Sequence, residues 1–71
     1  MGKNVAMKEA RAKAGLSQQE LAEKLGVSRQ TINAIEKGDY NPTIRLCIGI
    51  CRVLGQTLKD LFWEEEETNE K

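Results

Sequence analysis

Between Leu16 and Gly38 the chain reads LSQQELAEKLGVSRQTINAIEKG, two runs of helix-forming residues separated only by Gly26-Val27-Ser28. A helix of eight or nine residues is marginal alone, because nucleation costs more than its few hydrogen bonds return. Packing must therefore hold both, and so short a break fixes the angle between them. Its residues have the right chemistry. Gly26 can end one helix in the left-handed conformation, and Ser28 can cap the next. Ser17 and Glu20 have the spacing of a capping box, the serine accepting from a backbone N–H and the glutamate reaching back. Leu16 with Leu21, and Val27 with Ile32, stand at the two ends of hydrophobic staples.

The same punctuation runs through the whole chain. Gly15, Gly26, Gly38 and Gly55 each follow a helix-like run, as expected of residues just past a helix end. Thr43, after Pro42, can cap a fourth helix, and Thr57 to Asp60 resembles a weaker capping box opening a fifth. The expectation is an all-α fold of five short helices, since no stretch alternates apolar and polar residues as a strand would. Expected core positions are Val5, Ala6, Ala10 and Ala14 in the first helix; Leu21, Ala22 and Leu25 in the second; and Ile32 and Ile35 in the third. In the fourth, Ile44, Cys47, Ile48, Cys51 and Leu54 follow the helical repeat, and Leu58, Leu61 and Phe62 close the core. Gly49 inside that fourth helix costs about 1 kcal/mol against alanine; either it lets another helix approach closely or it is merely tolerated.

Seventy-one residues make one small domain, near the size at which an apolar core alone can still hold a fold. With 39% hydrophobic and 31% charged residues, the composition favours neither a disordered nor a membrane class. No apolar run approaches the ~20 residues of a bilayer span. The N-terminus lacks the apolar region of a secretory signal, so a cytoplasmic protein is expected. Cys47 and Cys51 lie four apart in one expected helix and would close almost no loop; both are read as reduced and packed. With no histidine and no third cysteine, no metal site and no cofactor are expected.

The net charge of zero conceals a segregation. Residues 1–59 hold ten Lys or Arg against five Asp or Glu, a net of +5, and the last twelve hold one lysine against six acids, a net of −5. The expected domain, residues 4–63, is thus basic over most of its length. Residues 64–71 have no apolar side chain to bury and are expected to form an acidic disordered tail, either merely solvating or competing with an anionic partner for the basic face.

On a helical wheel with Arg29 at zero and about 100° per residue, Ile32 and Ile35 point near 300° and 240°. The opposite side holds Asn33, Lys37, Gln30 and Ala34, with Arg29 at its edge. Amide and guanidinium groups presented together on an outward helix suit base edges in the major groove, where Gln or Asn can bond adenine and Arg can bond guanine. On a lone helix this would be an ordinary wet surface. Behind a second short helix and a three-residue break, it is the helix-turn-helix arrangement.

The residues Leu16-Ser17-Gln18-Gln19-Glu20-Leu21-Ala22, Gly26-Val27-Ser28-Arg29-Gln30-Thr31-Ile32, Ile35-Glu36-Lys37-Gly38, Asn41-Pro42-Thr43 and Leu54-Gly55 resemble the Cro and C1-type helix-turn-helix regulators, in particular short bacterial members that are little more than this domain. The resemblance spans about residues 4 to 63 without insertion. It implies a compact, five-helix, lambda-repressor-like DNA-binding fold with helices two and three as the motif. It further implies that Arg29, Gln30 and Asn33 read bases. Gln18, Thr31 and Lys37 would contact phosphates or backbone, as would Asn41 and Thr43 of the 39–43 loop; for Gln18 a helix N-terminus independently favours an anion. The resemblance also pairs Arg11 with Glu36 as a structural ion pair. Tyr40 either packs on the loop or meets the DNA backbone, and Phe62 and Trp63 either close the core or form an apolar dimer contact.

The function expected is a sequence-specific transcriptional regulator, most simply a repressor, binding a short palindromic operator in double-stranded DNA as a homodimer. No membrane, no small-molecule effector and no enzymatic activity are expected: histidine, a glycine-rich phosphate loop and a cysteine beside a base are all missing. Two alternatives stand beside it. One is an antitoxin-type regulator that also binds a protein partner; the other is a protein-interaction module that keeps the fold without DNA binding.

Overall fold

Each helix begins where a short polar side chain can satisfy N–H groups that have no partner within the helix. The computed structural model describes residues 3–63 and holds, among them, five α-helices and no strand. These are α1 (Val5–Lys13), α2 (Gln18–Leu25), α3 (Arg29–Lys37), α4 (Ile44–Leu54) and α5 (Leu58–Leu61). Their N-caps are Asn4, Ser17, Ser28, Thr43 and Thr57. Both capping boxes form: Ser17 Oγ accepts from the Glu20 N–H at 3.0 Å while Glu20 Oε1 accepts from the Ser17 N–H at 2.8 Å. Thr57 and Asp60 do the same at 3.1 and 3.0 Å. The expected tail, residues 64–71, lies outside the described residues.

The core joins all five helices. Met7, Leu21, Ile32 and Ile50 are fully buried, with Ala10, Ala22, Ile35, Cys51, Leu54 and Leu61 around them. Leu16 and Val27, the outer ends of the two staples, pack against this cluster. Asn4 ties the N-terminus of α1 in place. Its backbone N–H donates to the Glu36 carbonyl at 2.9 Å, and its Nδ2 donates to the Leu61 carbonyl at 2.9 Å.

Two core faces differ from the sequence expectation. In α1 the buried residues are Met7 and Ala10, while Val5, Ala6 and Ala14 are exposed. The bonds of Asn4 to Glu36 and Leu61 hold the helix start and set its rotation, bringing Met7 inward. In α4 the buried residues are Cys47, Ile50, Cys51 and Leu54, whereas Ile44 and Ile48 are exposed. The reason is Gly49. A Cβ there would lie 3.0 Å from Leu25 Cδ2, so α2 presses on α4 at the glycine, and Ile50 rather than Ile48 turns inward.

Both cysteines are free and buried. Burial pushes both thiols up, and at Cys51 the neighbouring Cys47 and the Asp60 carboxylate add to it, which leaves little reactive thiolate. No described helix is long and apolar enough to cross a membrane.

Candidate nucleic-acid interface

The turn between α2 and α3 is fixed by hydrogen bonds at each residue. Gly26 adopts φ 72°, a left-handed conformation open to glycine, in which its N–H folds back on α2. The Val27 N–H donates to the Ala22 carbonyl at 3.0 Å, and Ser28 Oγ accepts from the Thr31 N–H at 3.2 Å. Val27 and Ile32 then staple α3 to the core. The inward side of α3 is Ile32, Ile35 and Glu36, all buried.

Glu36 is the one buried charged residue among those described, at 6% exposure. A carboxylate in that position must be paired. The guanidinium of Arg11 provides the pairing as a fork, Nε at 2.7 Å from Oε2 and Nη2 at 3.2 Å from Oε1, while Nη1 donates to the Leu16 carbonyl at 2.9 Å. One side chain thus links α1, the loop before α2, and α3.

Gln18, the first residue of α2, extends this network toward the surface. Its Nε2 donates to Glu36 Oε1 at 3.1 Å and lies 3.2 Å from Asn33 Oδ1 as a second acceptor; Arg29 Nη1 donates to its Oε1 at 3.5 Å. Arg11, Gln18, Arg29, Asn33 and Glu36 therefore form one connected cluster across α1, α2 and α3. Asn33 is half-buried rather than fully outward, because its oxygen faces Gln18. No local signal could have disclosed those bonds, since Gln18 and Asn33 are 15 residues apart.

The remaining candidates lie outside the cluster. Gln30 and Lys37 are exposed on α3, and Gln30 makes no side-chain hydrogen bond among the described residues. Thr31 is half-buried, its Oγ1 2.9 Å from Ser28 Oγ. Asn41 and Tyr40 are exposed in the loop, and Thr43 Oγ1 accepts from the Leu46 N–H at 3.1 Å as the cap of α4. The outward surface of α3 thus presents two long cations, Arg29 and Lys37, near its ends, with the Gln30 amide between them. Such a row can donate to phosphates and exchange paired hydrogen bonds with base edges.

Known proteins share the helix-turn-helix fold. A helix-turn-helix family model matches residues 7–61. The chain is 51% identical over 61 residues to the uncharacterized HTH-type transcriptional regulator YgzD of Bacillus subtilis, covering 86% of this chain and 92% of that one. Among solved structures, the restriction-modification controller protein C.AhdI of Aeromonas hydrophila superposes with a TM-score of 0.76 at 27% identity, over 83% of this chain and 89% of that one. A chain of the SinR/SinI protein complex superposes with a TM-score of 0.75 at 33% identity, over 92% of this chain and 64% of that one.

Proposed function

This chain belongs to the Cro/C1-type helix-turn-helix family of DNA-binding transcriptional regulators, and on that premise we propose that it acts in the cytoplasm as a homodimer on a short palindromic operator. Residues 4–63 are the DNA-binding domain and 64–71 an acidic extension of it. In this reading α3 enters the major groove, Arg29, Gln30 and Asn33 read base edges, and Gln18, Thr31, Lys37, Asn41 and Thr43 contact phosphates. Occupancy of the site regulates transcription, most simply by blocking polymerase. No enzymatic step is involved.

The observation that carries the reading is the division of labour on α3. Ile32, Ile35 and the Arg11–Glu36 pair hold the helix, and Arg29, Gln30 and Lys37 are left exposed on it. Phosphate contacts would supply much of the affinity and make it fall with salt, and base contacts would supply the discrimination. Selection from a randomised duplex pool at moderate salt is the test. An enriched motif with half-sites about 10 bp apart, centre to centre, is expected of a two-fold dimer; a pool without enrichment rejects specific recognition.

A second reading, a regulator that also binds a protein partner, is favoured by the similarity to a chain solved in a protein complex, SinR with SinI. Co-purification of a stoichiometric second protein with the tagged full-length chain would support it.

A further inference from the structure

The Gln18 amide lies between two ions, each of which can play only one part in a hydrogen bond. The Glu36 carboxylate accepts and the Arg29 guanidinium donates, whereas an amide can do both. Gln18 Nε2 donates to Glu36 Oε1 at 3.1 Å, and Gln18 Oε1 lies 3.5 Å from Arg29 Nη1. Turning the amide over would set its oxygen against a buried carboxylate and its NH2 against a cation, leaving each without a partner. Its orientation is therefore fixed at both ends. Glu36 is itself held in place, at 6% exposure and in the fork of Arg11.

That orientation passes on to Asn33. The atom of Asn33 facing Gln18 Nε2 has to be an acceptor, and Oδ1 takes that place at 3.2 Å. Both hydrogens of Gln18 Nε2 are then engaged, one by Glu36 and one by Asn33, so a phosphate contact from Gln18 falls to its backbone N–H at the start of α2. With Oδ1 turned to Gln18, the Asn33 NH2 is directed away from it and has no partner among the described residues. Position 33 lies on the outward side of α3. Asn33 thus offers two donors, and Arg29 on the same helix can only donate as well. Gln30, with no side-chain hydrogen bond among the described residues, is the α3 amide left free to offer a donor and an acceptor together.

We propose that Gln18 is a positioning residue that sets what Asn33 reads: held as a donor, Asn33 selects guanine, whose O6 and N7 both accept, over adenine, whose N6 donates. The buried Glu36 charge thereby reaches a base pair through two successive hydrogen bonds, Gln18 to Glu36 and Gln18 to Asn33. Residue type alone would pair an asparagine with adenine. That pairing needs the Asn33 oxygen turned to the base, and here it is turned to Gln18. The assignment rests on α3 entering the major groove, as proposed above, and adds to it the base selected at one position.

Duplex selection followed by fluorescence anisotropy, with full-length protein, tests it. Asn33→Ala first locates the base pair, as the position of the selected motif at which discrimination is lost. In the wild-type motif the base read there is expected to be guanine; adenine, or no position affected, would overturn the proposal. Gln18→Met keeps the length of the side chain and removes its hydrogen bonds, and should cut the preference for guanine over adenine at that pair by roughly fivefold or more. A Gln18 side chain that only held a phosphate would instead weaken all sequences alike, and that result would also overturn it. Asn33→Asp sets an oxygen where the NH2 stood, and is expected to move the preference from guanine to cytosine, whose N4 donates; retained guanine would count against the proposal. Circular dichroism melts fix a temperature at which each variant is folded, and should Gln18→Met not fold, the wild-type base and Asn33→Asp still decide. A motif with adenine at the pair leaves recognition by α3 standing, whereas a pool with no enriched motif overturns that reading together with this one.

Discussion

Arg11 and Glu36, 25 residues apart, meet as a two-pronged ion pair whose shorter arm is 2.7 Å, with the carboxylate almost wholly removed from solvent. The pair sets the position of α3 from behind, and its rupture would leave a buried charge with only the Gln18 amide to solvate it. Arg11→Ala is expected to destabilise the fold by about 3–5 kcal/mol. Folds of this size have a total stability of roughly 0.05–0.15 kcal/mol per residue, so much of the protein should unfold. Arg11→Lys keeps the charge but loses the fork, and should fall between. Urea denaturation followed by circular dichroism measures both; a loss below about 1 kcal/mol for Arg11→Ala would place the pair among weak surface bridges.

Exposed residues of α3 should behave differently in binding than in folding. Gln30→Ala is expected to reduce discrimination between the selected site and its single-base variants by about 1–3 kcal/mol, with thermal stability nearly unchanged. Lys37→Ala should weaken binding to all sequences alike and reduce the steepness of its salt dependence by about one unit of slope. Fluorescence anisotropy on matched and mismatched duplexes, repeated across a salt series, separates the two effects.

Gly49 gives a test of packing. Alanine there gains up to about 1 kcal/mol of helix propensity, but its Cβ would stand 3.0 Å from the Leu25 terminal methyl. Because that methyl ends a flexible, half-buried side chain, it can move aside, and Gly49→Ala should stay within about 1 kcal/mol of wild type. Gly49→Leu cannot be accommodated this way and is expected to destabilise by about 1–3 kcal/mol. Denaturant midpoints of the two variants decide it.

Asp60 is expected to make α5 sensitive to acid. The Thr57 backbone N–H, followed by the Thr57 side chain, holds the Asp60 carboxyl below its ordinary value. Lowered in the folded state, the group contributes stability in full above its unfolded pKa and loses it as pH falls through the folded value. Asp60→Asn should therefore lower stability at neutral pH and flatten the acid-side decline. Melting temperatures measured from neutral pH down into the carboxylate range check this; parallel curves for the two proteins would contradict it.

Local chemistry was legible in the sequence, and rotation about helix axes was not. The Ser17–Glu20 box, the Ser28 cap and the left-handed Gly26 depend on neighbours three or four residues away, so residue types announce them. Whether Val5 or Met7 faces inward depends on Asn4 bonding to Glu36 and Leu61, 32 and 57 residues distant. Whether Ile48 or Ile50 does so depends on Leu25 resting on Gly49. Both helices offer apolar residues on more than one side, and only the approach of another helix selects among them. In the candidate site, the outward course of α3 follows from Ile32 and Ile35, whereas the inward turn of the Gln18 amide toward Glu36 and Asn33 has no counterpart in any short motif.

The unequal attachment of Gln30 and Asn33 bears on how such a protein can change over time. Gln30 is exposed and makes no side-chain hydrogen bond among the described residues, so a substitution there is expected to alter the outward surface and leave the scaffold as it was. Asn33 holds an acceptor toward Gln18 at 3.2 Å, and replacing it disturbs a neighbour that also supports Glu36. On the reading that α3 meets DNA, a change at position 30 is expected to alter preference without disturbing the scaffold, whereas a change at position 33 also removes a partner of Gln18.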